Sequence, residues 1–225
     1  QYFKNKSWMF NLNSAFSLVQ GSEEALQRTQ TSSARYYQRP DNTHTVLDSS
    51  RTSLGGSGGR MQLMKLNGHW NLMLASIWKS PGFETNDLGY IREADQILNL
   101  IWAGYNQWEP KGFYRRYNIN GDLYHVTNFG GEKLGYGLEF NGNIGFKNYW
   151  NAWAGGGLQT AGLETSLLRG GPSMKTPGNF RTHMGFETDE RKKIVLNVFG
   201  NINRGYEDYS RSEEHTSELQ SRQSI

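Results

Sequence analysis

The chain has no cysteine. This excludes disulfides, zinc–thiolate sites and thiol nucleophiles. It has no run of 18 apolar residues, so a membrane-spanning helix is excluded too. Apolar residues are only 36% of the 225 and mean hydropathy is −0.73. Excess charge is equally scarce. A net of +3 gives no electrostatic case for a nucleic-acid partner, and none is expected. There is no initial Met and no signal peptide before Gln1, so the chain is read as an internal or processed piece. What is abundant is glycine, with 27 residues, and aromatics at 13% including seven Trp. Low hydropathy with many glycines and aromatics suits a transmembrane β-barrel, in which only alternate residues need be apolar.

The clearest pattern lies in residues 133–146, KLGYGLEFNGNIGF. Leu134, Tyr136, Leu138, Phe140, Ile144 and Phe146 alternate with Lys133, Gly135, Glu139, Asn141 and Asn143. A period of two is a strand whose faces meet different environments. Similar alternation runs along 8–18, 69–79, 113–129, 150–161, 179–187 and 194–203, and more weakly along 26–37, 60–66 and 91–108. A phase break near His125–Val126 predicts a β-bulge, and Asn67–Gly68 predicts a tight hairpin. EEALQ at 23–27 could form one helical turn, too short to stand alone.

Between these ten predicted strands, long connections fall at 38–58, 80–89 and 162–177, all on one side of a meander. Short turns occupy the other side, and 130–132 is one short link on the long side. Outer-membrane barrels sort their loops this way. A large soluble barrel would instead turn its apolar face inward and its charge outward. The polar positions here are mainly Asn, Gly, Ser, His and single charges, as a wet lumen would hold. Trp8, Trp70, Trp78, Trp108, Tyr149, Trp150 and Tyr206 sit near strand ends, where interfacial girdles form. The expected fold is therefore all-β: an antiparallel up-and-down transmembrane β-barrel, about ten strands of a larger barrel, over residues 1–210.

Residues 211–221, RSEEHTSELQS, resemble a translated sequencing adapter, so 211–225 is expected to be a non-native or disordered tail. RYYQRPD (35–41), SPGFETNDLGYIREADQ (80–96), FKNYWNAWAGGG (146–157) and LLRGGPSMKTPGNF (167–180) resemble an uncharacterised family of Gram-negative outer-membrane proteins. The resemblance implies a β-barrel domain of unknown function that follows a module like the family 9 carbohydrate-binding modules. Such a module is not recognisable in these residues. The resemblance also implies outer-membrane localisation, contact with outer-membrane lipid, and carbohydrate as a partner only through that module. It supplies no catalytic residues.

Three residues in long connections are candidate ligand contacts: Phe83 and Asp87, which could face a sugar, and Arg169, in the Arg-Gly-Gly-Pro turn. The plainer explanation is that Gly and Pro set the geometry of these turns. Arg35, Arg39, Arg115, Arg116 and Arg181 are candidates for a lumen field, or for structural pairing across strands. The histidines at 44, 69, 125, 183 and 215 lack metal-ligand spacing, so no metal or cofactor is expected. GGSGG at 55–59 lacks the Lys-Ser/Thr of a phosphate loop, and no carboxylate pair suggests glycosidase chemistry. The expected function is non-enzymatic: a barrel that anchors a surface carbohydrate-binding module, with passage of solutes or glycans as a further role. The alternatives are a soluble glycan-binding β-domain and an outer-membrane barrel enzyme with loop-borne residues.

Overall fold

The structure is a computed structural model and describes residues 1–85 and 89–206. Asp87 and the 211–225 tail lie outside the described residues. Twelve strands and one helix follow in order: β1 Tyr2–Phe3, β2 Trp8–Gln20, α1 Glu23–Thr31, β3 Ser53–Lys65, β4 Trp70–Lys79, β5 Gln96–Gln107, β6 Tyr114–Thr127, β7 Lys133–Phe146, β8 Asn151–Gln159, β9 Gly162–Glu164, β10 Met174–Thr176, β11 Gly178–Glu187 and β12 Asn197–Tyr206. Ten of the strands form one antiparallel sheet in the order β1-β2-β3-β4-β5-β6-β7-β8-β11-β12, while β9 and β10 pair separately. The protein is thus all-β and antiparallel, as expected. The sheet is not closed: among the described residues β12 does not pair with β2, and β1 covers only Trp8 and Met9 of β2.

Cross-strand register aligns the two faces. Directly opposed residues share a face, and one row reads Phe10, Leu63, Leu74, Ile101, Leu123, Leu138, Leu158, Phe180. All of these except Leu63 are exposed. On the opposite face a row that carries Trp153 and Phe199 runs beside two rows, from β6 to β12, that are polar. One is Asn120, Asn141, Gly155, His183, Asn201; its neighbour is Asp122, Glu139, Gly157, Arg181, Asn203. Gly157 explains how an ion pair forms between strands that are not adjacent. Arg181 and Glu139 meet across it, and a Cβ there would stand 3.2 Å from Glu139 Cγ. The polar character does not extend to β4 and β5, where Met73, Ile77, Leu98, Leu100 and Trp102 occupy the same face.

The helix and the long connections pack on this second face. Leu26 of α1 is buried with Tyr37 and Leu54, and Val19 and Leu47 pack against that cluster. Val19 and Leu54 are opposed residues on the polar-side face. Phe83 lies there too, against Gly58, where a Cβ would come within 2.6 Å of its ring. This face is therefore covered at the long-loop end, and the other is bare.

Four sequence expectations are corrected by this packing. No strand forms at 26–37; residues 23–31 are the helix. Ser22 caps it by accepting from Ala25 N at 3.3 Å, and Glu23 and Glu24 favour its positive end. Nine residues would be marginal alone. Burial of Leu26, with the Gln30 amide bonded to both Asp48 N (2.9 Å) and Asp48 O (2.8 Å), stabilises it. GGSGG is strand rather than loop: Gly56 and Gly58 admit the Phe83 segment, and the backbone pairs with β2. The 162–177 connection contains the β9–β10 hairpin. Finally, β5 starts at Gln96, because Ala94 N bonds Ala34 O at 2.9 Å and holds 89–95 in the loops. The bulge falls between Val126 and Thr127, one residue beyond its expected place. Strand 133–146 has its expected bounds.

Candidate functional site

The long-loop end is built from four connections that hydrogen-bond to one another. Arg35, its side chain 1% exposed, reaches Glu84 Oε2 at 2.9 Å, donates to Ser32 Oγ at 3.3 Å and also donates to Phe83 O. His44 Nε2 lies 2.7 Å from Asp95 Oδ2, whose other oxygen accepts from Phe129 N at 3.0 Å. Glu93 accepts from Ser166 Oγ at 3.3 Å. Arg39 Nη1 donates to Ser173 Oγ at 2.7 Å, and Ser173 N donates to Asp41 Oδ2 at 2.8 Å. Segments near 32–44, 83–95, 128–132 and 164–173 are thereby joined into one polar layer.

The electrostatics follow from that bonding. Burial pushes the Asp41 carboxyl up, but hydrogen bonds from Ser173 outweigh it and hold the group below its ordinary value. Burial raises the Tyr37 phenol to about 12, against the opposing pull of Arg35 and Arg51. Among the described residues, Arg35 Nε, Arg39 Nε, Gln38 Oε1, Asp41 Oδ1 and His44 Nδ1 are buried without a protein partner. The cavity beside Arg35, Arg39, Glu93 and Asp95 measures ≈ 20 Å³, the size of one water rather than a sugar. Glu93 and Asp95 already accept from donors, so the layer is arranged to tie loops together.

The sequence candidates sit at separate places in this layer. Phe83 is half-buried against the glycines of β3 and does not project as a platform. Arg169 is exposed in a tight turn, with its N–H on Ser166 O at 3.0 Å and a left-handed φ of 50°. Both regions meet the 35–39 segment, Phe83 through Arg35 and the Arg169 turn through Gly170 beside Gln38. Of the candidate lumen arginines, Arg35 and Arg39 belong to the loop layer, Arg181 pairs with Glu139 on the polar face, and Arg116 lies beside Asn118 and Asn151. Arg115 instead reaches Phe146 O at 2.8 Å and stacks on Tyr149 at the short-turn end. Sequence reading missed His44, Glu93, Asp95 and Ser166 as a connected set, because their contacts span 51 to 73 residues and follow no period.

The sequence matches the family model described as Domain of unknown function (DUF5916) over residues 14–224. The chain belongs to the DUF5916 family. No curated protein and no solved structure matches it. The DUF5916 match includes RYYQRPD, both long-loop motifs at 80–96 and 167–180, and the short-turn motif at 146–157, so every residue of the loop layer described above falls inside it. It also runs through 211–221, the stretch that resembles an adapter.

At the opposite, short-turn end, Asp189 binds Arg191 through both oxygens at 2.8 Å. Those hydrogen bonds hold its carboxyl at about 2, below the ordinary 3.8. A depressed folded value means the link is fully present above pH 3.8 and is lost as pH falls toward 2. The Asp189 carboxyl carbon, followed by NMR titration, should therefore remain ionised at pH 3. A midpoint near 3.8 would show that the Arg191 link does not form.

Proposed function

We propose that this DUF5916 chain is part of an outer-membrane β-barrel, with lipid against the bare apolar face and an aqueous lumen against the polar one. The observation that carries this reading is the sidedness of the packing. The helix, the Phe83 segment and the buried apolar cluster all lie on the second face, which is mixed on β2–β5 and mainly polar beyond. The row of exposed Leu, Ile and Phe on the other face has no covering element among the described residues. In water, a soluble sheet would cover its apolar face first, at roughly 25 cal/mol per Å² of apolar area buried.

Aromatic placement supports the same reading. Rings at the short-turn end form a chain of contacts: Trp70–Tyr105 at 5.1 Å, Tyr105–Tyr117 at 5.9 Å and Tyr114–Tyr117 at 5.0 Å. Phe113–Phe146 at 6.1 Å and Trp150–Phe186 at 6.3 Å continue it. On β7, Phe146 and Tyr136 bracket the bare face. They stand about 33 Å apart along the strand, or about 25 Å along the normal at a tilt of about 40°, the height of a barrel's apolar band.

The open edges of β2 and β12 would be paired in the barrel by further strands, since lipid satisfies no free backbone group. The role is non-enzymatic: to anchor a surface carbohydrate-binding module, and to pass solutes along the amide-rich face. Heat-modifiable gel migration after refolding into detergent tests the reading. A folded band that shifts on boiling is expected. A protein that stays monomeric and soluble without detergent would end the proposal.

A further inference from the structure

Three adjacent hairpins converge on Tyr149 at the short-turn end. Tyr149 lies between β7 and β8 with a left-handed φ of 68°, a backbone state that bulky residues seldom adopt unless their surroundings impose it. Arg115, from β6, stacks on its ring at 4.3 Å, and Arg191, from the β11–β12 turn, at 3.2 Å. Asp189 holds Arg191 by a two-point contact, so the guanidinium is fixed in place. Between the β7–β8 and β11–β12 turns lies an open groove of ≈ 690 Å³.

Its lining has two chemical halves. Lys147, Arg191 and Lys192 form the rim half. The other half is apolar: Trp150, Ile194 and Leu196, all exposed. Trp150 stacks on Phe186, and Leu196 is opposed to Thr188, so this half continues the bare face of the sheet. Asp189 is the carboxylate in the lining and is already occupied by Arg191. By charge count, Glu190 and Lys193 on the same turn cancel, and Lys192 also acts on the Asp189 carboxylate that Arg191 holds. The lysines at 147 and 192 are thus left as excess positive charge above an apolar wall.

We infer that this groove binds an anionic glycerophospholipid of the surrounding bilayer, with its phosphodiester between Lys147 and Lys192 and an acyl chain along Trp150 and Leu196. The inference rests on the membrane reading and adds to it a lipid class and a location. Charge complementarity argues for an anionic headgroup, because basic residues at a membrane surface are each worth roughly a fivefold gain in anionic-lipid affinity. The aromatic and aliphatic wall argues for a lipid over a free anion, which has no use for exposed Trp150 and Leu196.

The experiment has three arms. First, the protein is refolded into phosphatidylcholine vesicles and insertion is scored by protease protection. Failure to insert there and in phosphatidylglycerol vesicles overturns the membrane reading, and this inference with it. Second, the protein in nonionic detergent is titrated with phosphatidylglycerol or phosphatidylcholine, and retained lipid is counted by native mass spectrometry. Tighter retention of phosphatidylglycerol by about tenfold or more is expected. The double substitution K147Q/K192Q should lower phosphatidylglycerol affinity by about thirtyfold and leave phosphatidylcholine unchanged. Equal retention of both lipids by an inserting protein, or no change in the variant, overturns the lipid site alone. Third, inorganic phosphate is added as competitor. Displacement of phosphatidylglycerol at equimolar phosphate would make the groove a free-anion site and also overturn the inference.

Discussion

Leu138→Arg is expected to destabilise the lipid-inserted chain by about 2–4 kcal/mol, the cost of placing Arg at the midplane on the lipid face of a barrel. Leu138 is the central choice because register puts it between Leu123 and Leu158 in the exposed apolar row. Asn141→Arg on the same strand should cost under about 1 kcal/mol, since its face carries Asn120 and His183 and is read as wet. Denaturant unfolding in vesicles, monitored by tryptophan fluorescence, measures both. The ratio matters more than either value: in a soluble sheet with both faces in water, Leu138→Arg would be nearly neutral at an exposed site. Equal costs at the two positions would refute the assignment of lipid and water to opposite faces.

Arg35→Met should lower stability by about 3 kcal/mol, because it removes one member of a buried ion pair while keeping most of the apolar stem. The Arg35 side chain is 1% exposed and the Glu84 side chain 14%, so solvent replaces little of what is lost. The same substitution also removes the donors to Ser32 Oγ and Phe83 O. Arg28→Met is the matched control. Its pair with Glu24, at 2.6 Å, has both side chains at least 75% exposed and should contribute under about 0.5 kcal/mol. The readouts are midpoint denaturant concentration and protease cleavage near 83–85. Faster cleavage in Arg35→Met but not in Arg28→Met would locate the effect in the loop layer. An Arg35→Met protein as stable as the parent would show that Arg35 is dispensable there.

The two large effects differ in how readable they were. Leu138 stands out in the sequence, because a period of two over fourteen residues fixes which side chains share a face. Arg35 does not. The motif RYYQRPD marks the segment, yet its ion pair is 49 residues away and no local rule joins them. The missed helix follows the same logic. Ser22, Glu23 and Glu24 are a fair start signal, but a nine-residue helix depends on Leu54 and Asp48, neither of which is nearby in sequence. Glycine was the most misleading residue type. GGSGG reads as loop from propensity, whereas β3 uses Gly58 as the surface on which Phe83 rests.

By itself, then, the sequence determined the antiparallel β class, most strand positions, the place of the β3–β4 hairpin though not its width, the bulge to within a residue, and the faces of the well-alternating strands but not of β5, whose Leu98, Leu100 and Trp102 lie on the polar-side face. These depend on side-chain period and turn chemistry, which act over a few residues. Only the tertiary structure decided that α1 and the long loops cover the polar-side face, that four connections join into one layer, and that the sheet stays open. It alone also brought Arg115 and Arg191, from two other hairpins, onto the Tyr149 ring. These features come from contacts between segments far apart in the chain, where burial and charge pairing outweigh local preference.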